Sequence, residues 1–296
     1  MAQDGETFEL IRGVTSLDVT DMVNYSLLQF DGLGMAPVHR LTQRGALQNG
    51  ESDIGYRLDP RIITMILAGY GSSQDELHDR RAEIIGVLKP GSSSDPIKLR
   101  WTFPDGTQRQ IDCHYRDQLS LPSIDWRYRH HKIAFTLQAP DPTFYDPTGG
   151  SVTFAVGGGG TGFAFPLAVP MSFGASTLDI YQTITLDGDN AWDTYPIIYV
   201  TGAVTNLVLT NTATGDVLDF TGNTVGGSVT YTIDLRYGAK TVIDSSGVNR
   251  VNELTTSSDL ATWRLVPGVN SIHAVGASIT SATSILVQYN QRFIGV

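Results

Sequence analysis

Short runs of alternating apolar and polar residues, period two, dominate this chain, and one helical stretch interrupts them. The β-rich runs Phe8–Arg12, Tyr25–Phe30, Val38–Gln43 and Arg61–Gly69 open it, divided by turn sequences such as Asp31-Gly32 and Asn49-Gly50. A helix is predicted over about 73–89. Ser73-Gln74-Asp75-Glu76 fits a capping box, in which the Ser73 hydroxyl accepts from the Glu76 amide while Glu76 reaches back. Leu77, Ile84, Ile85 and Leu88 fall on one stripe of that helix, Asp79, Arg80, Arg81 and Glu83 lie largely off it, and Lys89-Pro90-Gly91 supplies the stop. A hairpin follows, Ile97–Phe103 and Arg109–Arg116 around Pro104-Asp105-Gly106, where Pro sets φ and Gly tolerates positive φ. A strand from about Tyr128 to Gln138 ends in Ala139-Pro140-Asp141-Pro142, whose prolines block further pairing.

At Asp146-Pro147-Thr148-Gly149-Gly150 the composition shifts, which predicts two domains, residues 1–150 and 151–296. Beyond the boundary the pattern is all strand: Ser176–Leu186, Tyr195–Thr201, Val204–Asn211, Ser228–Leu235, Val269–Val275 and Ser284–Phe293. Turns such as Asp187-Gly188, Thr214-Gly215-Asp216, Gly226-Gly227 and Ser246-Gly247 separate them. Strands at this spacing without a helical period predict a sandwich or jelly roll. No repeat of solenoid type is present.

Charge sharpens the functional picture. Between Lys132 and Arg236 there is no Lys, Arg or His, so a long segment lacks the side chains used for acid–base chemistry or for binding phosphates. The net charge is −10, with 15 basic and 20 acidic residues up to residue 150 and 5 and 10 beyond it. Acidity spread evenly argues against stable binding to nucleic acid or anionic membranes. The one cysteine, Cys113, excludes an intrachain disulfide and fits a reducing compartment. The first residues carry no apolar core of a secretory signal, and no apolar run approaches the roughly 18 residues of a membrane helix.

Several motifs invite chemistry, and each has a plainer reading. Gly157 to Gly162 matches G-x-G-x-x-G, but Phe163-Ala164-Phe165-Pro166 does not open a helix, so a loop is expected and not a dinucleotide site. Asp187-Gly188-Asp189-Asn190-Ala191-Trp192-Asp193 crowds carboxylates; an irregular calcium site is one reading and an exposed turn is the default. Cys113, His114, His130 and His131 suggest zinc, but strand neighbours point to opposite faces and four convergent ligands are lacking. Asp59-Pro60-Arg61 reads as a turn with a local ion pair. Asp141 and Asp146, each followed by Pro, mark changes of chain direction more readily than a glycosidase pair. Trp101, Trp126, Trp192 and Trp263 suit core or interface packing, with sugar stacking as the other use. No catalytic, cofactor or metal residues are assigned, and a non-enzymatic assembly or binding protein is expected.

Taken in order, the segments carry a resemblance. Leu58-Asp59-Pro60-Arg61 precedes an apolar strand, then a helix with Leu77-His78-Asp79-Arg80-Arg81 ending Leu88-Lys89-Pro90-Gly91. Next come Asp105-Gly106, Arg109-Gln110-Ile111-Asp112-Cys113 and Ala139-Pro140-Asp141-Pro142-Thr143-Phe144-Tyr145. In the second half Leu186-Asp187-Gly188-Asp189, Tyr195-Pro196-Ile197-Ile198, Asn211-Thr212-Ala213-Thr214-Gly215, Ser258-Asp259-Leu260 and Leu265-Val266-Pro267-Gly268-Val269-Asn270 continue it. Across nearly its whole length the chain resembles the distal tail proteins of siphophages, the phage tail component family. The resemblance implies a mainly β fold: an N-terminal split-barrel-like β domain with one helix, then a C-terminal galectin-like β-sandwich. It further implies a hexameric ring of N-terminal domains at the tail tip. That ring would join the major tail tube protein to a tail hub or tail-associated protein, near the tape measure protein, with DNA only passing through the lumen. The implied location is the virion, assembled in the bacterial host cytoplasm. Some relatives carry inserted carbohydrate-binding modules, which makes host-glycan recognition the alternative function; this chain is too compact to hold one. Six copies would total about −60, and an acidic lumen would let DNA slide without sticking.

Overall fold

The structure is a computed structural model that describes residues 5–92, 94–117, 119–120, 130–155 and 177–296. It is mainly β, with one α-helix among the described residues. The chain divides into two compact units, Met1–Pro147 with Phe293–Val296, and Thr148–Arg292.

The first unit is built on an antiparallel sheet of β1 (Thr7–Arg12), β2 (Thr15–Asp18), β3 (Tyr25–Asp31), β6 (Arg61–Tyr70), β7 (Ile97–Thr102), β8 (Gln108–Tyr115), β9 (His130–Ala139) and β10 (Phe144–Tyr145). Their lateral order runs β2-β1-β7-β8-β9-β6-β3, with β10 also against β8. Register pairs such as Leu10↔Leu99, Leu99↔Ile111 and Leu67↔Ile133 carry one apolar row from strand to strand. Along β6 burial alternates, so Arg61, Ile63, Met65 and Leu67 all face the core. Phe8, Phe135 and Phe144 join them there, each contributing about 1.5–3 kcal/mol by leaving water. The remaining strands of this unit, β4 (Val38–Gln43) and β5 (Ser52–Leu58), pair only with each other.

The helix α1 (Gln74–Leu88) covers this core. Ser73 accepts from the Glu76 amide as expected, but the returning Glu76 carboxylate lands one residue earlier, on the Ser72 amide and hydroxyl. Leu77, Ile84, Val87 and Leu88 are buried. Two helix positions depart from expectation. Ile85 is 47% exposed, and Arg81 is buried, its guanidinium bonded to His131 Nδ1 at 2.9 Å. Both follow from the stripe lying on the Leu77, Arg81, Ile84, Leu88 row instead of drifting toward Ile85. Lys89 is forced extended by Pro90 and ends the helix. Two of the last carbonyls, of Val87 and Lys89, accept from Arg12, which also pairs with Asp95.

The second unit holds two antiparallel five-stranded sheets. One is β11 (Gly150–Ala155), β21 (Ser284–Tyr289), β14 (Ile197–Thr201), β18 (Thr230–Asp234) and β19 (Thr241–Asp244), in that order. The other runs β12 (Leu178–Leu186), β20 (Gly268–Ala277), β15 (Val204–Asn211), β16 (Val217–Asp219), with β17 (Thr224–Val225) also on β15. A short β13 (Ala191–Trp192) precedes β14. One apolar cluster draws on both sheets, from Phe154, Ile198, Val200, Ile233 and Ile285 to Ile184, Leu209 and Ile272, with Trp263 fully buried among them. The strand expected over Ser284–Phe293 is broken: β21 stops at Tyr289 and β22 (Arg292–Phe293) begins a return into the first unit. There Phe293 enters the core, and the backbone pairs through Ala36 N–H to the Ile294 carbonyl and Val296 N–H to the Leu33 carbonyl.

Candidate assembly interface

The motifs with catalytic or metal-binding appeal disperse on folding. Cys113 is fully buried, and burial pushes its thiol far above the ordinary range; His114 lies on the opposite face. His131 faces inward against Arg81 while His130 faces outward near the Tyr70 ring. Among the described residues no group of three or more His, Cys, Asp or Glu side chains is placed to hold a metal ion. In the 187–193 loop Asp193 pairs with Arg264 at 2.8 Å, the Asp187 carbonyl accepts from Gln291, and the Ala191 amide closes a turn on the Gly188 carbonyl. Asp141 accepts from the Thr143 amide and hydroxyl. Trp101 stacks on Phe8 and Phe103, Trp263 is core, and Trp192 is half-buried in β13; Trp126 and the Gly157–Gly162 motif lie outside the described residues.

Asp59-Pro60-Arg61 is not a local ion pair. Asp59 sits with Arg57 and His39, while Arg61 turns into the core, 1% exposed, over the Phe144 ring. Its guanidinium donates to four carbonyls, those of Pro142 (2.8 Å), Gly32 (2.7 Å), Gly34 (2.6 Å) and Ile294 (2.8 Å). Asp59 and Pro60 form the connection between β5 and β6, so the Asp59 carboxylate stays at the surface while Arg61, the first residue of β6, points inward. Burial pulls Arg61 down to about 10, which leaves it charged at neutral pH.

Arg61 thereby clamps the base of the β4–β5 hairpin, which carries several of this unit's exposed apolar side chains. Gly32, at φ +94°, fits here because a Cβ would strike the Ile62 carbonyl. Every residue of β4 is exposed, and so are most of β5. Ile54 is 63% and Tyr56 51% exposed, and Val38 and Leu41 are exposed as well. At the tip Leu47 is fully exposed at φ +68°, an uncommon backbone region for a non-glycine residue. Its loop is nonetheless ordered: Gln48 accepts from the Gly45 amide and donates to the Ser52 hydroxyl. Beyond the hairpin, Met22, Val23, Leu28, Met35 and Ile62 add further exposed apolar side chains, so most of this unit's large exposed hydrophobics fall within residues 22–62. The hairpin's own ion pairs, Arg40–Asp53 and Arg57–Asp59, are exposed and stabilise little. A lone two-stranded hairpin is marginal in water. Unpaired edges and apolar faces of this kind suit pairing with another chain.

At the other end of β3 lies a cleft of about 380 Å³ between β2, the β2–β3 turn and α1. Tyr25 reaches across it, donating to the Glu83 carboxylate and the Arg80 carbonyl, both at 2.8 Å. Burial, helped by the Glu83 charge, pushes this phenol well above its ordinary range. Burial also acts to raise Asp21, but amide donors from Tyr25, Asn24 and Val23 outweigh it and hold the carboxylate below its usual value. Asp18, Asp21 and Glu83 against Arg80 leave the cleft net acidic.

No protein-family model matches the chain, and no curated protein matches it. Solved structures do. The SPP1 Dit (gp 19.1) protein, described as a paradigm of hub adsorption apparatus in Gram-positive infecting phages, matches with a TM-score of 0.62 at 14% identity, over 97% of this chain and 99% of that one. A chain of the phage p2 baseplate in its activated conformation with Sr matches with a TM-score of 0.50 at 10% identity, over 98% and 99%. At these identities the likeness is one of fold.

Proposed function

We propose that the chain is a non-enzymatic virion component of a bacteriophage tail tip, a distal tail protein that closes into a ring. In this reading residues 1–150 build the ring and residues 151–296 form a galectin-like sandwich. The ring joins the tail tube protein to a hub or tail-associated protein, next to the tape measure protein. The observation that carries the reading is the agreement of fold with the SPP1 Dit protein along both entire chains. The exposed β4–β5 hairpin supports it, since Val38, Leu41, Leu47, Ile54 and Tyr56 put exposed apolar side chains on an element that no described residue covers, which suits a subunit contact. Repeated heterologous contacts that close give rings, six-fold here. Such a hexamer, at about −60, has an acidic lumen that DNA traverses without binding. No described helix is long and apolar enough to cross a membrane. Negative-stain imaging of the purified protein, with immunogold labelling of intact virions, tests this: rings and tail-tip gold are expected. A protein that stays monomeric and is absent from particles overturns it.

A second reading, glycan recognition by the sandwich, is favoured by one observation. On the outer face of β12 and β20, Tyr181 (59% exposed) stacks flat on His273 at 3.9 Å and 4°, and Asp179 holds the His273 ring at 2.7 Å. A flat aromatic ring at an edge strand beside carboxylate and hydroxyl groups suits a sugar face. A glycan array comparing the protein with Tyr181→Ala decides it: signal abolished by the substitution supports glycan binding, and no signal removes it.

A further inference from the structure

Ring closure needs a projection and a receptor at different places on the same subunit. We infer that the β4–β5 tip of one copy, led by Leu47 and Arg44, seats in the cleft between β2 and α1 of the next copy. This rests on the ring reading above and names its contact. The geometry points to it through β3. Its first residue, Tyr25, lines the cleft, and its last, Asp31, leads into the hairpin base at Gly32 and Gly34. Seven strand residues set the two features about 20 Å apart, at opposite ends of one element. The hairpin itself is about 20 Å long, and neither of its faces is covered by described residues. Hairpin base and cleft therefore lie at different places on one subunit, as a heterologous contact requires.

The surfaces also match in chemistry. Leu47 is fully exposed in a backbone conformation that costs a non-glycine residue about 1–2 kcal/mol, and strained outliers of this kind collect at functional contacts. Arg44 beside it is exposed and makes no ion pair or hydrogen bond among the described residues. The cleft offers Leu17 and Val87 as apolar lining and Asp18, Asp21 and Glu83 as acidic lining. A leucine and an unpaired arginine on one side thus meet an apolar floor and an acidic rim on the other. A homologous tip-to-tip contact would instead oppose two Arg44 side chains.

Disulfide trapping tests the contact on the full chain. Ser16, in β2 at the cleft, and Leu47 at the tip are each replaced, as Ser16→Cys and Leu47→Cys, singly and together; the native Cys113 is buried and silent. On mild oxidation the double variant is expected to give a ladder of covalent oligomers ending at the closed ring, and each single variant none. Independently, Leu47→Asp, at a fully exposed site that folding does not need, is expected to cut the ring fraction at least tenfold while the far-UV circular dichroism spectrum stays that of the parent. Rings on the grid without a ladder, or rings undiminished in Leu47→Asp, overturn this contact and leave the ring reading standing. No rings from any variant or from the parent overturn both.

Discussion

Arg61 is the residue on which the hairpin base depends. A cation among four carbonyl oxygens and a phenyl face, with no carboxylate partner among the described residues, is stabilised by charge-assisted hydrogen bonds in a buried site. Arg61→Ala leaves buried carbonyls unpaired at roughly 1–3 kcal/mol each. Urea unfolding is expected to show a loss of about 3 kcal/mol or more, and Arg61→Lys is expected to rescue little, because an ammonium cannot span four acceptors. The sequence hides this role. The acceptors lie at positions 32, 34, 142 and 294, and nothing local to Asp59-Pro60-Arg61 points at them. Cys113 offers a simple reporter of the same core. Its thiol is buried and held protonated, so a thiol reagent is expected to react only at the rate of unfolding.

Among the elements, α1 and the 97–115 hairpin were legible because their signals are local. The cap and proline stop bound the helix, and Pro104-Asp105-Gly106 supplies a turn whose Asp105 accepts from the Thr107 amide and whose Gly106 takes φ +84°. Ser73→Ala is expected to cost about 1 kcal/mol in thermal or urea unfolding, the usual worth of such a cap. β2, β16, β17 and β19 escaped notice because two to four residues leave no room for a period. The β4–β5 hairpin misled differently. Val38–Gln43 reads as an ordinary strand, and only the structure reveals that neither face is covered by described residues. Hydrogen exchange is expected to find β4 and β5 amides the fastest among the strands in the isolated chain, and protected on assembly. Equal protection in both states counts against an assembly role for the hairpin.

For the whole molecule, each unit has its own apolar core, and the second is spliced into the first between Pro147 and Phe293. The sequence placed a boundary near Asp146–Gly150 but carried no sign that Phe293–Val296 rejoins the first unit, since a short apolar tail resembles any strand end. Removing residues 293–296 takes Phe293 from the core and the Ile294 carbonyl from Arg61. Calorimetry is expected to lower the first unit's transition and leave the second's unchanged. Acid acts on both. Asp244, held by the Val248 and Ser246 amides and Arg250, Asp219, held by Thr221 and Thr255, and Glu76, held by Ser72, all have lowered values in the fold. Groups of lowered value stabilise above the unfolded range near 4 and lose that contribution as pH falls through their folded values. Stability is therefore expected to be level above about pH 5 and to decline below about pH 4.

The splice also orders events in time. A ribosome must finish the entire sandwich before it delivers the phenylalanine plug and the carbonyl that Arg61 awaits. Until then the hairpin base has no complete anchor, so a partly made chain is expected to hold β4 and β5 less firmly than the finished fold does.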